Sequence, residues 1–181
     1  ISSGEPVMVR EMPLLGKHES VIVAGVPDTV LFYEGSPIFL FEHKFPSRQI
    51  PFRHNHVQAR LCCYLLQLMG WETRKLKYVL VIAPPECRGD KDLRRIPSYV
   101  LRQPSETRLR VKLQAGDANL YLNDYDAAEA IDELNWALGF WMGDRPATPT
   151  TKKGKCKSCR FNEKCDHSLA SHLDTLDRHA G

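Results

Sequence analysis

No apolar run in these 181 residues approaches the roughly 18 that a membrane-spanning helix needs, and Ile1 to Arg10 lacks the basic-then-apolar pattern of a secretory signal. A membrane protein and an exported one are both disfavoured, and a cytoplasmic location is expected. No internal repeat and no low-complexity tract is present, which argues against a solenoid or a disordered tail. Strong net charge is missing too, since the balance is only +3. Ile rather than Met at position 1 leads to the expectation that further elements precede this segment. What remains is ordinary globular usage, 43% hydrophobic and 26% charged, enough for one domain plus a small appendage.

Charge is unevenly spread. Eight basic residues (Arg88, Lys91, Arg94, Arg95, Arg102, Arg108, Arg110, Lys112) face three acidic ones between 88 and 112, and six face one between 152 and 164. Clustered cations suit contact with a polyanion, because phosphate binding depends on local charge rather than on the total. Solvated loops are the plainer reading of the first patch.

Cysteine is absent from the first 61 residues and then falls into two settings. Cys62 and Cys63 stand together in an apolar helical run, as buried thiols do, and Cys87 is alone in a Pro-rich polar stretch. Cys156, Cys159 and Cys165 are packed too tightly for a disulfide framework and have the spacing of thiolate metal ligands. A reducing compartment follows. The neighbouring lysines and Arg160 favour the thiolate form.

Patterning predicts strands over residues 6–11, 18–24, 29–33 and 38–45, with Leu15-Gly16-Lys17 as a connection and Glu34-Gly35-Ser36-Pro37 as a hairpin turn. A helix over 53–69 carries Val57, Leu61, Leu65 and Leu68 and stops at Gly70. Strands follow over 77–83 and 107–113, separated by a long mobile loop. A second helix starts at Asp124 or Asp126, with Ala127, Ile131, Leu134, Leu138 and Trp141 along one face. The layout is α/β, a mixed sheet flanked by helices, over residues 1–146, followed by a linker and a cysteine-rich tail over 147–181 packed on it.

Asp28 precedes the third strand, and Glu42 and Lys44, two apart on the fourth, point to one face. Hairpin strands lie about 5 Å apart, so Asp28 and Glu42 can share one divalent cation, with hard oxygens suited to Mg2+ or Mn2+. Lys44 beside the ion would orient water or steady charge on a phosphate. Phe39, Leu40, Phe41 and Phe45 embed the pair in an apolar strand, where charges are costly unless paired or used. His43 points to the opposite face, and His18 reads as an exposed turn histidine.

The ordered set Gly25-Val-Pro-Asp28, Phe41-Glu42-His-Lys44, a helix carrying Gln58, and Cys156-x2-Cys159-x5-Cys165 resembles the RecB-like PD-(D/E)XK nucleases, nearest their CRISPR-associated iron–sulfur exonuclease branch and more distantly exonuclease V. The resemblance spans roughly residues 6–166. It implies a restriction-endonuclease-like core and a metal-dependent deoxyribonuclease, an exonuclease in CRISPR spacer acquisition or DNA repair, acting on single-stranded DNA or free ends beside adaptation or repair proteins. It makes Asp28 and Glu42 the Mg2+ or Mn2+ ligands, Lys44 the catalytic lysine and Gln58 the glutamine of a Gln-x-x-x-Tyr motif. It also implies a [4Fe–4S] cluster on Cys156, Cys159 and Cys165 if a fourth ligand is available, zinc being the alternative. The pattern departs in three places. Cys62 stands where the tyrosine belongs, leaving an Arg60 and Tyr64 pairing as an alternative; no cysteine precedes Asp28; and the family's upstream helical histidine motif has no match, His18 not being assigned to it. Cys87 is a candidate fourth ligand, and upstream residues are the other source. Arg94, Arg95, Arg102 and Tyr64 are the expected DNA contacts, with Trp71 and Tyr99 as stacking candidates. The competing expectations are a nuclease-like module that binds DNA or a protein with little or no cutting, and a zinc-stabilised regulatory domain.

Overall fold

The computed structural model describes residues 4–170. Eight strands and four α-helices follow in the order β1 (Val7–Arg10), β2 (Leu14–His18), β3 (Val21–Gly25), β4 (Thr29–Tyr33), β5 (Ser36–Lys44), α1 (Arg53–Leu68), β6 (Lys77–Ile82), α2 (Ile96–Leu101), β7 (Arg108–Lys112), β8 (Asp117–Asp124), α3 (Ala127–Trp141) and α4 (Lys153–Lys157). Contacts divide the chain into two units, Ile1–Trp136 and Ala137–Gly181. None of the described helices is long and apolar enough to cross a membrane.

The first unit is a mixed sheet in the order β1-β4-β5-β6-β8-β7, in which only β5 and β6 run parallel. Glu34 and Gly35 turn β4 into β5, both with positive φ, the conformation of a tight hairpin that matches strand twist. Alternation on β5 sends Phe39 and Phe41 to one apolar layer, shared with Val79, Val81, Leu120, Ile96 and Val100. Leu40 goes to the other, shared with Leu80, Ile82 and the α1 residues Ala59, Cys62, Cys63, Leu65 and Leu66. Helix α1 therefore covers one face of the central strands and α2 lies against the opposite one. Asn55 fastens the start of α1 by accepting the Phe52 N–H at 2.9 Å, and Gly70, at φ +88°, ends it.

Four expectations change. Leu15-Gly16-Lys17 is the middle of β2, not a connection; β2 and β3 form a separate two-stranded ribbon whose Leu14, Gly16 and His18 face inward. Glycine usually punctuates, but Gly16 serves closeness: a Cβ there would stand 2.7 Å from both Cβ and Cδ1 of Leu68 on α1. Strand β8 was hidden by its Asn and Asp residues, although Ala118, Leu120 and Leu122 alternate into the core. The expected mobile loop between β6 and β7 holds two 3-10 turns and α2, fastened by buried Cys87, Ile96 and Val100. Asp126 caps α3, accepting the Ala128 N–H at 2.8 Å, while Asp124 closes β8. Trp141, placed on the apolar face by periodicity, is 78% exposed.

Gly16→Ala forces a methyl group into the ribbon–helix contact, and the nearest atom is the Leu68 Cβ, which cannot swing aside. The expected loss is about 1–3 kcal/mol, read as a lower urea midpoint with an unchanged slope.

Candidate active site

The site lies at the end of β5 nearest the start of α1. Thr29 pairs with Phe41, so the residue before β4, Asp28, falls opposite Glu42. Glu42 is 1% exposed. Lys44 Nζ donates to Glu42 Oε2 at 3.1 Å and to Gln58 Oε1 at 2.9 Å, and Gln58 Nε2 donates to the same Glu42 Oε2 at 3.0 Å. The three side chains thus close a triangle across two strand positions and one helix position. All of the bonding falls on Oε2. Glu42 Oε1 is buried with no hydrogen-bond partner.

Asp28 is held from behind. Its Oδ2 accepts the His43 backbone N–H at 2.6 Å, and the His43 Nδ1 lies 3.6 Å away. The carboxylate is still 44% exposed. Burial works against its ionisation, but the His43 hydrogen bonds and charge outweigh that and hold the carboxyl below its usual range. Burial raises the Glu42 carboxyl, opposed by Lys44 and reinforced by the charge of Asp28, and the net direction is up. Two neighbouring carboxyls are therefore pushed apart, the exposed one toward ionisation and the buried one away from it.

An orphaned buried carboxylate oxygen beside an ionised, open carboxylate is the donor set for a hard divalent cation, which keeps most of its shell for water and phosphate oxygens. The fit is good for Mg2+ or Mn2+. Among the described residues no group of three or more His, Cys, Asp or Glu side chains is drawn together for an ion, so the protein would supply only these two carboxylates.

Asp28, Glu42, Lys44 and Gln58 are thus brought together. Other expected site residues are not. Cys62, one turn after Gln58, is buried against Gly25, and its thiol is pushed up to about 12, by burial first and by Glu42 next. It stays neutral and takes the place of a tyrosine only in position. Tyr64 faces elsewhere: it is buried, and its hydroxyl bonds His18 Nδ1 at 2.8 Å, while His18 Nε2 bonds Asn135 Oδ1 at 2.8 Å. His18 is therefore a buried strut, not a turn histidine, and Tyr64 is not open to DNA. Arg60 is committed to Glu129 and Glu133 on α3. Trp71 packs on Phe32 with ring centroids 4.9 Å apart. Arg94, Arg95 and Arg102 border α2, which lies against the other face of the sheet. Arg108, Arg110 and Lys112, expected as part of the basic stretch 88–112, stand on β7 and alternate with Leu109 and Val111, which pack toward the core.

In the second unit, Cys156, Cys159, Cys165 and His167 line one concavity of about 240 Å³ with Pro149, Thr150 and Lys155. The cysteines are free thiols, with Cys159 and Cys165 exposed. Cys87, weighed as a fourth ligand, is fully buried in the core of the first unit, as is Cys63, and Cys62 is 4% exposed. Of the three tail cysteines, Cys159 and Cys165 are exposed and Cys156 is buried, and among the described residues they are not drawn together with one another or with His167 as a ready set of metal ligands.

Glu42→Gln tests the direction of its shift. A carboxyl whose folded pKa is raised costs stability once ionised, a cost absent below the unfolded value near 4.3, growing as pH rises from there toward the folded one and constant above it. The variant is expected to melt above the parent at pH 7 in metal-free buffer, with the gain vanishing near pH 3.5.

No family model matches the chain. A 60-residue segment is 38% identical to mitochondrial exonuclease V of Candida dubliniensis, covering 33% of this chain and 9% of that protein. Among solved structures, the crystal structure of SSO0001 aligns over 90% of this chain and 61% of its own, with a TM-score of 0.47 and 15% identity.

Proposed function

We propose that this chain is the catalytic part of a metal-dependent DNA nuclease, an exonuclease of the kind used in CRISPR spacer acquisition or DNA repair. One observation carries the reading: the Glu42–Lys44–Gln58 triangle that leaves Glu42 Oε1 unpartnered opposite Asp28. The segment similar to an exonuclease supports it.

Asp28 and Glu42 would hold Mg2+ or Mn2+, which when bound polarises a phosphoryl oxygen and lowers the pKa of water. The chain's own residues do the rest. Lys44 carries three N–H donors and spends two on Glu42 and Gln58, leaving the third for the attacking water or a non-bridging phosphate oxygen. Gln58 fixes both partners, so the ammonium meets the developing charge without having to reorganise. His43 anchors Asp28 from the other side through its backbone N–H. The replacement of the motif tyrosine by a buried, neutral Cys62 favours the second reading, a nuclease-like module that binds DNA with weak or no cleavage.

End-labelled single-stranded and duplex DNA, incubated with Mg2+ or Mn2+, should be cut by the parent and at least about 100-fold more slowly by Lys44→Ala. Chelation should stop the parent. Binding without cutting by either protein would select the module.

For the tail we propose a metal on Cys156, Cys159 and Cys165, a [4Fe–4S] cluster completed by a fourth ligand, or zinc. Anaerobically purified protein should contain iron with sulfide, or zinc, in an amount that falls in Cys159→Ser. Equal metal content in the two proteins would remove the proposal.

A further inference from the structure

Strand register carries the site across the sheet. Lys44 pairs with Ile82, Ile82 with Asn119, and Asn119 with Arg110. Glu42 pairs with Leu80, Leu80 with Tyr121, and Tyr121 with Arg108. Directly paired residues share a face, so Arg108 and Arg110 point the same way as Glu42 and Lys44, three strand spacings or about 14 Å along. Lys112, two residues on, completes the row.

Beyond the strip of β6 that α1 covers, this face is polar. Helix α1 buries Leu80 and Ile82, but Asn119, Tyr121 and Asn123 on β8 are only partly buried. The Asn119 amide donates to Gln49 Oε1, at 3.2 Å, in the loop that leaves the active site after β5. Arg108, Arg110 and Lys112 are all exposed. The Arg108 guanidinium lies over the Tyr121 ring, 5.1 Å from its centre, and Arg110 bonds Asp117 at 2.6 Å while remaining 72% exposed. At the free edge of β7, Arg110 and Lys112 line a cavity of about 310 Å³ with Arg95, Tyr99 and Asp92. The row carries three cations against Asp117. Such exposed ion pairs are weak, and a polyanion displaces them readily.

We propose that Arg108, Arg110 and Lys112 bind the sugar–phosphate backbone of the substrate strand a few nucleotides from the scissile phosphate, with Tyr121 as a stacking surface. The inference rests on the nuclease reading and specifies how its substrate is held. It moves the backbone track from Arg94 and Arg102, beside α2 on the other face, to the edge strand. An acidic peptide added to the open edge of β7 is the competing occupant. The alignment of the cations with Lys44 favours the nucleic acid, since Lys44, Asn119 and Arg110 lie on one register line of this face.

The test is a fluorescence anisotropy titration of a labelled single-stranded oligonucleotide, without divalent metal, over a range of salt. Three proteins are compared: the parent, Arg108→Gln/Arg110→Gln/Lys112→Gln, and Lys17→Gln/Arg74→Gln/Lys75→Gln, which loses the same charge from exposed positions elsewhere. The first variant should bind roughly tenfold more weakly at low salt, and its log–log salt slope should fall by about 2, as for three lost phosphate contacts. Its KM for cleavage should rise by the same factor, and the control should match the parent. Parental affinity in the first variant, or an equal loss in the control, overturns the track. So does displacement of the oligonucleotide by a polyglutamate peptide that binds more tightly and itself depends on the three cations. A parent that cuts while the first variant binds normally refutes the track and leaves the nuclease standing. A parent that binds through these residues but does not cut refutes the nuclease and leaves the track.

Discussion

Burying the Glu42 carboxylate at the end of a central strand is the constraint around which the first unit is organised. An ionised group at 1% exposure is expensive, and two donors from different elements offset part of that cost: Lys44 from the same face of β5 and Gln58 from α1. The Gln58 bonds to Glu42 and Lys44 need the helix to lie across the strand at one register. That register is in turn set by Gly16, which lets β2 approach Leu68, and by Gly25 against Leu65 and Cys62. The site and the packing of α1 are thus one arrangement.

The incomplete satisfaction of Glu42 gives this arrangement its chemical meaning. A structural ion pair would distribute its donors over both oxygens, whereas here Oε2 takes both bonds and Oε1 takes none. Buried polar atoms are rarely left so without a ligand or function. Asp28, pinned by the backbone of His43 yet open to solvent, stands opposite Glu42 across the hairpin, and its charge acts on the Glu42 carboxyl. The neighbouring Cys62 adds no charge.

The second structural theme is the asymmetry of the sheet faces. One face is covered along its middle by α1 and left polar over β8 and β7, and the other is closed by α2 and the 3-10 turns. A sheet finished this way has the Glu42–Lys44–Gln58 cluster and an adjoining basic margin on a single surface. Edge cations also discourage strand-to-strand aggregation at β7, so its charges serve the fold whether or not a ligand is present.

The amino-acid sequence alone determined the α/β class, the β4–β5 hairpin, helix α1 with its Gly70 stop, and the grouping of Asp28, Glu42 and Lys44, because period, turn chemistry and apolar context act locally. It also placed Gln58 on the helix that follows. Strand β8, rich in Asn and Asp, and the ribbon strand holding Gly16 escaped it, because polar residues and glycine there answer to neighbours distant in sequence. Tertiary structure alone decided that Tyr64 and His18 are buried partners, that Cys87 belongs to the core, and that Arg108, Arg110 and Lys112 share the face of the site while Arg94 and Arg102 border the helix on the other. Which residues meet across a sheet depends on strand order and register, and these are fixed by burial of the whole set of apolar faces at once, a quantity no local pattern contains.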